Sequence, residues 1–172
     1  QVKIGGATYV GLGAGIGDAE VWKWNGSSWT MIGGGNPAIN SSWPANTYEN
    51  VHSLATDGTN LYAGLGDGVT EGEVWKWNGS AWSKVGGDAS GVSPQSWSTA
   101  GNYEIVNSME VFNNELYVGL GNSAGDAEVW KCTGTCTQTT GWTKVGGDGT
   151  GVFPQSWNST YEIVYGMAIF NS

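Results

Sequence analysis

The chain has 172 residues, 39% hydrophobic and 12% aromatic, with six basic and fifteen acidic side chains and a formal charge of −9. That length buries about 70% of the unfolded surface, and the apolar content sets the chain apart from disordered sequences. All six cations are lysine, which argues against nucleic acid and anionic membranes as partners, and no apolar run is long enough for a membrane-spanning helix.

In chain order, residues 1–6 precede the first patterned segment and read as surplus, a piece available for donation to a neighbour. The opening Gln1 and the missing leader pattern suggest a processed or excised segment. Strands are expected over 8–12, 20–24 and 29–32, with Asn25-Gly26 as the hairpin turn between the last two. A long connection, 33–48, then carries Trp43 and ends in Tyr48-Glu49. The next strands are 49–56, 61–65, 73–77 and 82–85, with Asp57-Gly58 and Asn78-Gly79 as turns. Connection 86–103 carries Trp97 and ends in Tyr103-Glu104. Strands 104–112, 116–120, 128–132 and 142–145 follow, and connection 146–161 carries Trp157 before a last strand at 162–170 that opens Tyr161-Glu162. Val, Ile, Tyr and Trp dominate these segments, as half-buried strands prefer, and glycine would break any helix laid across 11–17 or 86–91.

The eleven tryptophans expose the repeat. Trp22, Trp75 and Trp130 follow Glu-Val, Trp29, Trp82 and Trp142 start the segment ending in Gly-Gly, and Trp24 and Trp77 align with Cys132. Units of about 53–60 residues with four short strands each predict an all-β fold of four-stranded antiparallel blades. The blade units are 1–48 plus 161–172, 49–103 and 104–160. The last strand then completes the first blade. Three blades are fewer than the 4–8 a propeller ring typically holds, so open edges are expected, to be met by a second chain in a six-bladed ring, by further blades, or by strand exchange into a polymer.

The unit resembles the kelch-like group of β-propellers in Gly119-Leu120-Gly121 after the second strand, Trp130 on the third and Trp142 opening the fourth. The resemblance implies propeller architecture. It implies little about activity, because propellers host many functions.

Cys132 and Cys136 replace the tight turn of the other copies, and a disulfide pinning a longer hairpin implies an oxidising compartment. Zinc is the alternative, with a single histidine and no second cysteine pair to support it. The sequons at Asn25, Asn40, Asn78 and Asn158 are glycan acceptors in a secreted protein, while Asn25 and Asn78 also serve turns.

Two candidate sites recur with the repeat. Trp43, Tyr48 and Glu49, with Trp97, Tyr103, Glu104 and Trp157, Tyr161, Glu162, place aromatic plates beside carboxylates, a combination suited to sugars and multiplied by avidity. The competing reading folds the same aromatics onto the blades as packing. Asp18, Glu20, Glu71, Glu73, Asp126 and Glu128 beside glycine-rich loops are weak calcium candidates; the alternative pairs these acids with Lys23, Lys76 and Lys131. Gly-x-Ser-x-Gly at 121–125 lacks the following helix of a nucleophile elbow, and His52 aligns with Asn107 and Tyr165, a variable strand position. Faithfully repeated acids favour binding or assembly over catalysis. The leading expectation is a non-catalytic extracellular or cell-surface binding module, lectin-like, for a glycan or surface ligand, without cofactor. A structural subunit forming a homo-oligomer or polymer by terminal-strand exchange is the first alternative, and a glycoside hydrolase the second.

Overall fold

Alternation of large apolar residues with glycine or polar ones builds the strands. In Leu61-Tyr62-Ala63-Gly64-Leu65, Leu61, Ala63 and Leu65 face one neighbour and Tyr62 and Gly64 the other. The computed structural model describes residues 1–34, 42–43, 47–68, 71–87, 97, 105–137, 140–147, 157 and 160–170. Among these, twelve strands form three four-stranded antiparallel sheets in sequential order. The first holds β1 (Val2–Ile4), β2 (Ala7–Leu12), β3 (Glu20–Trp24) and β4 (Trp29–Gly33). The second holds β5 (Asn50–Thr56), β6 (Leu61–Gly66), β7 (Glu73–Trp77) and β8 (Trp82–Gly87). The third holds β9 (Val106–Phe112), β10 (Glu115–Leu120), β11 (Glu128–Thr137) and β12 (Thr140–Gly146). The all-β class, four strands per sheet and the positions of the strands from β2 to β12 agree with the sequence pattern; the three sheets do not close on one another.

The ends differ from expectation. Residues 1–6 are not surplus: Gly5 and Gly6, both at positive φ (54° and 84°), make a two-residue turn that folds Val2–Ile4 back onto β2. Asn113 and Asn114 (51° and 62°) make the equivalent turn between β9 and β10. The place beside β2 expected for 162–170 is therefore taken by β1, a local pairing that costs little loop closure. The segment 161–170 forms no strand and lies against the third sheet, where Val164 N donates to Leu120 O at 3.2 Å and Ser108 Oγ to Val164 O at 2.8 Å. Cys132 and Cys136 form the expected disulfide, their Cα atoms 5.8 Å apart, inside the lengthened β11–β12 hairpin.

Cores lie between neighbouring sheets. One gathers Tyr9, Val21, Leu61, Ala63 and Leu65 between the first two, the other Val74, Val106, Leu116, Val118 and Leu120 between the second and third. Glycine sets the spacing: a methyl group on Gly11 would stand 2.5 Å from Val51 Cγ1, on Gly64 2.6 Å from Val106 Cγ1, and on Gly119 2.7 Å from Val164 Cγ1. The glycine of each second strand thus admits the valine that begins the following unit.

Candidate functional site

The most repeated geometry is a tryptophan junction between sheets. Each third–fourth strand pair carries a bulge: Trp22 pairs with Met31 and Val21 with Gly33, which skips Ile32, and the same shift skips Val85 and Val145. The skipped carbonyl turns toward the following sheet. Trp82 Nε1 donates to Ile32 O at 2.7 Å and Trp142 Nε1 to Val85 O at 2.8 Å. Trp43, from the first connection, donates to Ala19 O at 2.9 Å and lies edge-on to Trp75 and Trp82, with centroids 5.9 and 5.1 Å away. Trp97 likewise donates to Gly72 O at 3.1 Å, lies edge-on to Trp142 at 5.0 Å and is tilted against Trp130 at 6.4 Å. Trp157 donates to Ala127 O at 2.8 Å and is half-buried. The Gly-Gly ending of each fourth strand makes room for these rings: a methyl on Gly86 would stand 2.7 Å from Trp97 Cη2, and one on Gly146 2.8 Å from Trp157 Cη2.

Beneath the rings sit carboxylates. Glu20, Glu73 and Glu128 each accept from the indole two residues on, Trp22, Trp75 and Trp130, at 2.7, 2.9 and 2.7 Å. Their lysine partners are Lys84, 2.7 Å from Glu73, and Lys144, 2.6 Å from Glu128. The expected partners Lys23, Lys76 and Lys131 lie three residues from each acid, on the opposite strand face; Lys131 instead meets Glu115 at 3.1 Å and Lys23 lies 5.8 Å from the Tyr9 ring centroid. In the first sheet Met31 replaces the lysine. Tyr48 adds its hydroxyl to Glu73. Burial, then the Glu73 charge, push that hydroxyl far above the usual tyrosine range and keep it a donor.

The expected aromatic–carboxylate sites are placed as follows. Trp43, Tyr48 and Trp97 are buried, and their polar atoms bond within the protein. Tyr48 turns inward to Glu73 while Glu49 is half-buried. Tyr161 and Glu162 are exposed, and Tyr103 and Glu104 lie outside the described residues. For Trp43 and Trp97, packing is the role their surroundings supply. Neither a protein-family model nor a curated protein matches the chain.

Among the described residues no group of three or more His, Cys, Asp or Glu side chains is arranged to hold a metal ion. Asp18 is exposed and Asp126 half-buried. Burial lifts the Glu71 carboxyl above its ordinary range against a hydrogen bond from Gly68 N, and Glu49, Asp67 and Glu73 push the same way. Asn25 and Asn78 stand exposed at hairpin tips; Asn25 Oδ1 accepts from Ser27 N and Ser28 N, and Asn78 Oδ1 from Ser80 N and Ala81 N, all at 2.9 Å. Asn40 and Asn158 lie outside the described residues. The sequence reading missed Lys84 and Lys144; alternation through the bulge, rather than spacing from the acid, would have found them.

Proposed function

We propose that this chain is a non-catalytic structural module that associates end to end through its sheet faces, of kelch-like propeller type and working outside the cell. The observation that carries this is the contrast between equivalent residues at internal and terminal positions. Trp29 is 47% exposed where Trp82, one unit on, is 3% exposed, and Leu12 is 50% exposed where Leu65 and Leu120 are at 0%. At the other end Val145, equivalent to the acceptor residues Ile32 and Val85, is exposed. The face of the first sheet therefore matches what the face of the third sheet lacks, and a head-to-tail contact of this kind closes into a ring or runs on as a filament.

Covering Trp29 to the extent of Trp82 removes about 100 Å² from water, worth about 2.5 kcal/mol before association entropy is counted. The Cys132–Cys136 disulfide supports an oxidising, extracellular setting. Glycan binding by the loop aromatics would require Trp43 and Trp97 to leave their cores, so assembly is the better-supported role. Glu73 and Glu128, each held by a lysine and an indole, are ill-placed to hydrolyse a glycoside.

Light scattering over a wide concentration range tests the proposal. The mass of the protein should rise with concentration, and Trp29→Ala should move the midpoint about tenfold to a hundredfold upward. A mass that stays at one chain throughout, or a variant indistinguishable from the parent, refutes it.

A further inference from the structure

Resting on the end-to-end reading above, we propose that association proceeds by strand exchange. Residues 163–170 of one copy displace β1 in a second copy and pair with its β2. The segment 161–170 already sits on the third sheet as β5 sits on the first and β9 on the second. Ser53 Oγ donates to Val106 O and Ser108 Oγ to Val164 O, both at 2.8 Å. Gly17 N donates to Tyr48 O at 3.0 Å, and Gly125 N to Tyr161 O at 3.1 Å. Val51, Val106 and Val164 fill the same space over Gly11, Gly64 and Gly119. The difference lies on the far side. β5 pairs with β6 and β9 with β10, whereas Tyr165, Ile169 and Phe170 are exposed and, among the described residues, no strand pairs with them.

The complementary gap is in the first sheet. β1 pairs with β2 through only three residues, Val2 with Tyr9, Lys3 with Thr8 and Ile4 with Ala7. Beyond them Val10, Gly11 and Leu12 have no strand partner on that side among the described residues. A groove of ≈ 490 Å³ lined by Gly11, Leu12, Gly13, Asn50, Val51 and His52 opens there. Carrying over the β9–β10 register, Phe170 meets Ala7, Ile169 meets Thr8, Ala168 meets Tyr9, Met167 meets Val10, Gly166 meets Gly11 and Val164 meets Leu12. The incoming segment makes every pair β1 makes, and further pairs along the open stretch. Ladder bonds and the burial of Leu12 favour the longer pairing.

The same transfer completes a buried cluster. Glu73 receives Tyr48 at the start of its own unit, and Tyr161 is the equivalent residue of the C-terminal segment. Glu20 accepts from Trp22 and stands near Met31 rather than a lysine. In the exchanged state the Tyr161 hydroxyl of one copy donates to Glu20 of the next.

The test staples β1 in place. Lys3→Cys/Thr8→Cys joins two residues directly opposite one another, and the oxidised variant is compared with the parent by light scattering, then again after reduction, with the parent reduced alongside. Strand exchange predicts that the oxidised staple raises the association midpoint at least about tenfold and that reduction restores it. Should the parent associate and the stapled chain do so equally, the exchange is overturned while end-to-end stacking stands; a parent that never associates removes both. A second measurement does not depend on the staple folding. Oxidising a mixture of Thr8→Cys and Ile169→Cys copies should yield a disulfide-linked pair containing one of each, and failure to form that species in an associating sample overturns the proposal. Tyr161→Phe should weaken association about fivefold.

Discussion

Replacing Glu73 by glutamine changes almost no volume but removes one charge from a site where the side chain is 1% exposed. Trp75 Nε1 at 2.9 Å, Lys84 Nζ at 2.7 Å and the Tyr48 hydroxyl all converge on it. The amide oxygen can retain one or two of these donors, yet its NH2 group faces an ammonium whose side chain is 15% exposed. Removing one partner of a buried pair costs about 3–5 kcal/mol, and the partial exposure of Lys84 places this case near 3. In urea, with a slope of about 2 kcal/mol/M, the midpoint should fall by about 1.5 M. The molecule supplies its own control. Glu20→Gln keeps the bond from Trp22 and has Met31 where Lys84 would be, so it should cost under about 1 kcal/mol. Glu73→Gln/Lys84→Met should recover part of the loss, with a coupling of about 1–3 kcal/mol. Equal midpoints for Glu73→Gln and Glu20→Gln, or strict additivity in the double variant, would refute the reasoning.

Two other expectations rest on separate contacts. Gly64→Ala places a methyl group 2.6 Å from Val106 Cγ1 in a tightly packed junction, and should destabilise by about 1–3 kcal/mol in urea unfolding, whereas Gly166→Ala, with open space around it, should change the single chain little. Burial works against the Asp57 charge, but hydrogen bonds from Asn60, Thr59 and Tyr62 outweigh it and hold the carboxyl below its ordinary range. The ionised group therefore stabilises the fold above about pH 4, and this is lost as pH falls through the lower folded value. Asp57→Asn should cost less than about 1 kcal/mol at neutral pH, and the gap should narrow in acid; a gap that widens there contradicts the assignment.

Most of the fold is legible in the sequence, because the Leu-Tyr-x-Gly-Leu and Glu-Val-Trp-Lys segments alternate cleanly and Asn-Gly or Asp-Gly marks the turns between them. β1 is not legible: three residues before Gly5-Gly6 carry too short a pattern, and only the positive φ of both glycines reveals a hairpin. The segment 162–170 has a strand's pattern and makes the contacts of one, yet a strand also needs a neighbour to pair with. The tryptophans show a different limit. A buried Trp97 and a ligand-stacking Trp97 have the same sequence signature, and its burial against Trp130 and Trp142 is seen only in the structure. The lysine partners were hidden by the bulges, which shift the register at the acid-bearing strand by one residue and so defeat counting along the chain.

The acceptors in the tryptophan junctions are main-chain carbonyls of Ile32 and Val85, so the coupling between neighbouring units does not depend on which side chain stands at the bulge. A donor indole is required on one side only, and any residue able to adopt the bulge suffices on the other. Energetically the molecule is then a one-dimensional lattice in which each added unit contributes its own folding term and one nearest-neighbour term. Length becomes an adjustable parameter, since inserting or removing a whole unit leaves the kind of bond at each junction the same and alters the total by that unit's own folding term and one junction term.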